Sequence, residues 1–246
     1  MQDAYLITGA SRGLGLALAE QLAARGDSLF LVARGQIGLD GERVISRSVD
    51  LADTNAIESL VDEFIEFAAS QSCERITLVN NAGMIEPIKP ASRCSAEETL
   101  ASIQVNLVAP MQLTNLFLGK SEQGGLGRRV FNISSGAANT AYSGWSHYCA
   151  GKAGLDHFGR CVGVEQAASE NPALVVSIAP GVIDTRMQTV IRATSEADFP
   201  ALDKFVKLKE SGQLFTPEQA AEKLIRFMAS SELETGGNYD IRDFSG

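Results

Sequence analysis

The sequence predicts a three-layer α/β fold built on a doubly wound, mostly parallel sheet of seven strands. Three observations carry that expectation. Short apolar strands alternate with helical segments along the whole chain. Those strands lack the polar alternation of a sheet with one wet face, so helices are expected to cover both faces. The first strand also passes through a glycine-bearing loop directly into a helix. Hydrophobic residues make up 45% of the 246, enough for a full core. No low-complexity linker or fixed-period repeat divides the chain, so residues 1–246 read as a single domain.

The elements follow in order. Ala4 to Thr8 is an apolar run short enough to be a buried strand. Leu14, Leu18 and Leu22 then recur at i+4 on one helical face, and Gly26 stops that helix. Ser28 to Val32 is a second buried strand, and Arg43 to Val49 a weaker third. A helix from about Thr54 to Ala69 leads to a strand at Ile76–Val79, which ends in Asn80-Asn81-Ala82-Gly83. One long helix is expected from Ala96 to Leu118, a strand from Val130 to Ser134, and a second long helix from Ser146 to Ala168. Leu174 to Ala179 is a strand closed by Pro180-Gly181, followed by an irregular, partly helical stretch to Phe215. Pro217 at the first helical position with Thr216 as cap opens a helix to Met228, and Asn238–Asp240 is the last short strand.

Composition narrows the function. The 21 Lys and Arg against 30 Asp and Glu give a net charge of −9, which argues against a nucleic-acid partner. No apolar run approaches the ~20 residues of a membrane span, and the opening Met1 to Ala4 has no basic leader segment. No membrane partner is expected. Cys73, Cys94, Cys149 and Cys161 are scattered, so they read as reduced thiols of a cytoplasmic protein. Two His and no compact ligand cluster predict no metal. Glycine is in excess, 23 residues or about 9% against an average near ~7%.

Part of that excess lies in the first loop, Thr8 to Gly15, where Gly9, Gly13 and Gly15 are spaced GxxxGxG. A loop from a buried strand to a helix N-terminus offers free amides and a favourable dipole to a pyrophosphate, and its glycines let the anion approach the backbone. Gly9, Ser11, Arg12, Gly13, Leu14 and Gly15 are the expected contacts. The second strand runs out at Arg34 with no carboxylate beside it. Arg34 and Arg12 match a 2′-phosphate in geometry and charge, which predicts NADP(H) over NAD(H). Asp50 and Leu51 follow the third strand. Asp50 either accepts from an adenine amino group or caps the helix nearby.

A second constellation comprises Asn106 within a long helix, Ser134-Ser135 closing a strand, and Tyr148 with Lys152. Tyr148 and Lys152 are i,i+4 and share a helical face. A lysine ammonium beside a phenol is expected to lower its pKa from a free value near ~10. Such a phenol can give a proton to a developing alkoxide. Ser135 can donate to the same substrate oxygen.

Taken together, the motifs at 8–15 and 80–83, Asn106, Ser135, Tyr148-x-x-x-Lys152 and Pro180-Gly181 make the whole chain resemble the short-chain dehydrogenase/reductase family. Within it, residues 76–91, 132–156 and 177–199 and the ending Tyr239-Asp240-Ile241 resemble the sepiapterin-reductase-like branch, and in particular bacterial benzil reductases that form (S)-benzoin. The resemblance implies an NAD(P)-binding Rossmann fold and an NADPH-dependent reductase of small ketones or 1,2-diketones. It implies Tyr148 as general acid, Lys152 on the nicotinamide ribose, Ser135 on the carbonyl, and Asn106 holding a helix irregularity and a relay water. Asn81, Ala82 and Gly83, with Pro180, Gly181, Val182, Ile183, Thr185 and Met187, are implied along the cofactor.

Around the substrate, Tyr142, Trp145 and Met187 are candidate walls, with residues 186–215 as a lid carrying Phe199, Phe205, Leu208 and Leu214. Asp240 aligns with a pterin-anchoring aspartate, so it either recognises a polar substrate or is inherited architecture. A pterin side-chain ketone reductase and a non-catalytic NADP(H) sensor remain the alternatives. His147 and His157 read as packing or surface residues, and Cys149 as core. The family's pairing of subunits through two helices, here 96–118 and 148–168, implies a homodimer or homotetramer.

Overall fold

A computed structural model describes residues 2–244. The strands are β1 (Asp3–Thr8), β2 (Ser28–Ala33), β3 (Val44–Ser48), β4 (Arg75–Asn80), β5 (Gly127–Ile133), β6 (Leu174–Ala179) and β7 (Asn238–Asp240). The helices are α1 (Gly13–Ala24), α2 (Thr54–Ser70), α3 (Ala96–Ile103), α4 (Ala109–Lys120), α5 (Ser146–Ala167), α6 (Arg186–Arg192), α7 (Leu202–Glu210) and α8 (Pro217–Met228). The strands form one sheet in the order β3-β2-β1-β4-β5-β6-β7, and every neighbouring pair is parallel. The chain reverses its direction of winding between β1 and β4, which leaves a crevice beyond their carboxyl ends.

Strand sequence explains the layers. Successive residues point to opposite faces, so Tyr5, Ile7, Leu29 and Leu31 pack with α1 and α8, whereas Ala4, Leu6, Phe30 and Val32 pack with α2 and α4. All six residues of β1 and of β2 are buried, as their unbroken apolar runs require. The expected α1 stripe of Leu14, Leu18 and Leu22 is buried. Pro217 and a Thr216–Gln219 capping box start α8 as anticipated.

Three expectations change. The third strand is shorter and sits at the sheet edge with Arg47 and Ser48 exposed. The long helix at 96–118 is broken by a π-helical turn at Gln104–Val108 into α3 and α4. The stretch to Phe215 is more regular than its sequence suggests, because α6 and α7 fold against Trp145 and Phe199 in a separate apolar cluster.

Candidate active site

The loops after β1, β2, β4, β5 and β6, with α6, α7 and the end of β7, enclose a cleft of about 1530 Å³. Its wall carries eight Lys or Arg side chains against four Asp or Glu. In a protein of net charge −9, that local reversal suits a polyanionic ligand.

The first loop is built for close approach. Gly9 has a φ of +69°, a left-handed conformation costly for other residues. A Cβ placed at Gly15 would lie 2.4 Å from the Gly9 carbonyl oxygen and 2.5 Å from Asn81 Nδ2. The α1 N-terminus has no side-chain cap and no acidic residue in its first turn, so its amides face the cleft unclaimed by the protein. The loop after β4 is stitched to this one. Asn81 Nδ2 donates to the Thr8 carbonyl at 2.7 Å, and the amides of Asn81 and Ala82 both donate to Thr8 Oγ1 at 3.0 Å. Arg12 and Arg34 line the same end, exposed, and neither forms a salt bridge among the described residues. Asp50 Oδ1 accepts from the Ala52 amide at 3.0 Å, whereas the cap of α2 is Asp53. The capping alternative for Asp50 thus gives way to a local turn.

Deeper in the cleft stand Ser135, Tyr148 and Lys152. Ser135 Oγ accepts from the Ala137 amide at 3.1 Å, which leaves its own proton free to donate. Tyr148 and Lys152 are 7% and 3% exposed. Lys152 Nζ donates to the Ile133 carbonyl at 2.7 Å and lies 5.9 Å from the Tyr148 ring centroid. The expected lowering of the tyrosine pKa by Lys152 is corrected here. Burial pushes the phenol above its ordinary value, and only contact with Ser135 works against it. Burial also brings Lys152 down to about 8, with Asp156 opposing. The phenol is therefore held as a proton donor at neutral pH rather than poised as phenolate.

Asn106 is the one expected catalytic residue that does not line the cleft. It is 1% exposed in the π-helical turn, its Oδ1 accepting from the Met84 amide at 3.1 Å and its Nδ2 donating to the Met84 carbonyl at 2.8 Å. This side chain pins the helix break to the loop after β4. A Cβ at Gly151 would come within 2.9 Å of Asn106 Cβ, so α5 can press against the break only with glycine there.

Every other expected cofactor contact lines the cleft, from Gly9, Ser11, Gly13 and Leu14 through Leu51, Ala82 and Gly83 to Pro180, Gly181, Val182, Ile183, Thr185 and Met187. Tyr142, Trp145 and Asp240 do so as well. Of the four apolar lid candidates, Phe205 and Leu208 reach the wall, while Phe199 is fully buried, stacked on Trp145 at 4.4 Å. Leu214 is not part of it. His147 Nε2 meets Thr99 Oγ1 at 2.9 Å and His157 meets Arg160 at 3.0 Å, both away from the cleft. Cys149 is half-buried rather than core.

Sequence reading missed Arg242 and Lys204. Arg242 Nε donates to Asp240 Oδ1 at 2.8 Å, its terminal nitrogen to Oδ2 at 2.5 Å, and the pairing holds the Asp240 carboxyl below the usual range. Lys204 donates to the Tyr142 hydroxyl at 2.8 Å across the mouth of the cleft.

Residues 3–196 match the family model described as short chain dehydrogenase. The chain belongs to that family. Across its length it is 39% identical to the benzil reductase ((S)-benzoin forming) of Bacillus subtilis, covering 98% of this chain and 99% of that protein. It is 31% identical to the sepiapterin reductase of Rattus norvegicus, covering 97% and 95%. The crystal structure of the KRED1-Pglu enzyme superposes with a TM-score of 0.81 at 29% identity, covering 96% of this chain and all of that one. As a short-chain dehydrogenase, the protein is an oxidoreductase using NAD(P)(H). The glycine cradle and uncapped α1 fit that dinucleotide: a side chain at Gly15 would fill the space against Gly9, and free amides and cations stand where phosphates need them. No helix of the described residues is long and apolar enough to cross a membrane.

Proposed function

We propose that the protein is an NADPH-dependent reductase of apolar 1,2-diketones, reducing one carbonyl of a substrate such as benzil to (S)-benzoin. The observation that carries this reading is the substrate end of the cleft. Trp145, Tyr142, Phe205 and Met187 present an apolar wall beside Ser135 and Tyr148, while Asp240, the carboxylate expected to hold a guanidine-like pterin edge, is already bidentate with Arg242. A second reading as a pterin ketone reductase requires that pair to open.

In this mechanism the amides of Ser11 to Gly15 would hold the pyrophosphate, and Arg12 and Arg34 would take the 2′-phosphate. Asp50 and Leu51 would serve the adenine end, and cleft-lining residues from 81–83 and 180–187 would hold the nicotinamide end. Bound there, the reduced nicotinamide supplies the hydride, chemistry no side chain here can perform. Ser135 donates to the substrate carbonyl oxygen. Tyr148 transfers its phenolic proton to that oxygen as negative charge builds, and its raised pKa keeps the proton in place until then. Lys152 would hold the ribose, and its ammonium supplies positive charge near the phenolate that results.

A matrix of two cofactors and two substrates tests both halves. Wild-type protein is expected to prefer benzil over sepiapterin and NADPH over NADH, with Arg34→Ala cutting the NADPH preference by about tenfold or more, the scale of a lost charged hydrogen bond. Equal kcat/KM for both cofactors defeats the arginine argument. A preference for sepiapterin that is lost in Asp240→Asn overturns the diketone assignment.

We also propose that two copies pair through α3, α4 and α5. Leu100 on α3 and Val164 on α5 are 69% and 75% exposed, large apolar side chains on the helices concerned. Light scattering is expected to give at least twice the chain mass; the mass of one chain removes the proposal.

A further inference from the structure

Beneath Lys152 the interior is polar where close-packed apolar groups are the rule. Asp156 lies one turn beyond Lys152 on the same face of α5 and is 5% exposed. Its carboxyl faces the hydroxyls of Ser134, just past β5, and Ser177 on β6. Asp156 Oδ1, Ser134 Oγ, Ser177 Oγ and Asn132 Nδ2 are all buried with no partner at hydrogen-bonding geometry among the described residues. Gly159 lets these groups approach α5 closely: a Cβ there would be only 3.1 Å from Ser177 Oγ and 3.3 Å from Asn132 Nδ2. These polar groups gather around one carboxylate directly beneath Lys152.

Lys152 supplies the reason. Its ammonium is buried, and its one hydrogen bond among the described residues goes to the neutral Ile133 carbonyl. An ammonium at that depth sheds its proton unless an opposite charge stands nearby. Tyr148 precedes Lys152 by one turn of α5, and Arg160 follows Asp156 by another. From β5 and β6 the groups facing the pair are Asn132, Ser134 and Ser177, none charged, and Gly83 of the loop after β4 stands near Nζ, where an added Cβ would lie 3.7 Å away. Asp156 is thus the carboxylate in place to balance Lys152: burial pushes its own carboxyl up, and contact with Ser134, the charge of Lys152 and contact with Ser177 pull it back toward the ionised form. We propose that Asp156 is a positioning residue for the reaction, the buried counter-charge that keeps Lys152 protonated and held at Ile133. The proposal rests on the reading above in which Lys152 supports proton donation by Tyr148.

The sign is definite. Burial has already brought Lys152 down to about 8, and Asp156 pulls the other way. Reduction uses the protonated lysine, so activity is present below that value and lost as pH rises through it. Removing the carboxylate leaves burial unopposed and moves the loss to lower pH.

Two readouts on the full chain test this in Asp156→Asn. One is the pH profile of kcat/KM for benzil with NADPH, which reports the free enzyme. The other is the titration of Lys152 itself, followed by NMR on protein labelled with 13C at lysine Cε and assigned by Lys152→Met. Both are expected to move down by about one pH unit or more, with turnover recovering toward wild type below the new limb. Asp156→Glu, which keeps the charge, is expected to restore the limb in part. Asp156→Ser suits the hydroxyl-lined space and serves with the same expectation if the Asn variant does not fold. A merely structural residue would lower the melting temperature and depress kcat equally at every pH. An unmoved Lys152 titration overturns the proposal. Normal turnover by Lys152→Met would instead remove the role of Lys152, and the NMR titration decides the charge pairing independently of that result.

Discussion

Tyr148→Phe is expected to lower kcat for ketone reduction by at least about 10²-fold, the scale on which a positioned general acid acts. The substitution removes one hydroxyl and little else. The ring is 7% exposed and packs edge-on against Trp145 at 5.9 Å, contacts that phenylalanine retains. The melting temperature should therefore hold while turnover falls. Ser135 remains able to donate to the carbonyl oxygen through its free proton, so residual activity over the uncatalysed reaction should persist. The raised phenol pKa sharpens this expectation. A donor that keeps its proton at neutral pH serves reduction, and the same enzyme run toward oxidation should need higher pH. Steady-state rates with saturating NADPH and benzil check the prediction, and near-normal turnover by the variant removes Tyr148 from the chemistry.

The second large effect is expected at Gly15→Ala, where one methyl group meets the wall of the dinucleotide loop. The added Cβ would sit 2.4 Å from the Gly9 carbonyl oxygen and 2.5 Å from Asn81 Nδ2, separations that a backbone oxygen cannot accommodate in place. Asn81 Nδ2 also holds the Thr8 carbonyl at 2.7 Å, so relief by moving Asn81 breaks the stitch between the loops after β1 and β4. Overpacking of this kind costs about 1–3 kcal/mol. It is expected to appear as a lower melting temperature together with NADPH affinity weakened by about tenfold or more, since each 1.4 kcal/mol is tenfold in binding. Fluorescence titration of NADPH separates the two effects. Unchanged affinity would show that the loop does not cradle the cofactor.

Much of this architecture is legible because local sequence and tertiary environment agree. Tyr5 to Ile7 and Leu29 to Val32 are apolar on both faces, and a strand covered on both faces is the only place for them. Tyr148 and Lys152 meet because helical periodicity alone sets them on one face. The break at Gln104–Val108 was not legible from periodicity, since it depends on Asn106 reaching the Met84 backbone 22 residues away. The resemblance supplied it instead.

The pKa of Tyr148 was misjudged for a related reason. Adjacency to a lysine is visible in sequence, but burial is not, and burial dominates. The helices α6 and α7 escaped because their order comes from packing on Trp145 and Phe199. Asp240 and Arg242 carried a usable signal: an aspartate at a strand end turns the chain by accepting from the amide two residues on, and that turn brings Arg242 back to the carboxylate. Asp156, four residues after Lys152, was readable by the helical rule that found Tyr148.

The central claim is that this chain carries hydride from NADPH to a ketone carbonyl with Tyr148 as proton donor. Turnover of benzil with NADPH carrying deuterium at both positions of nicotinamide C4 tests it most directly, read by mass and NMR analysis of the product. The account predicts benzoin with one deuterium at the carbinol carbon, in yield matching the NADPH consumed and collapsing in Tyr148→Phe. Benzoin without that deuterium, or NADPH binding with no reduction of any ketone offered, would contradict it.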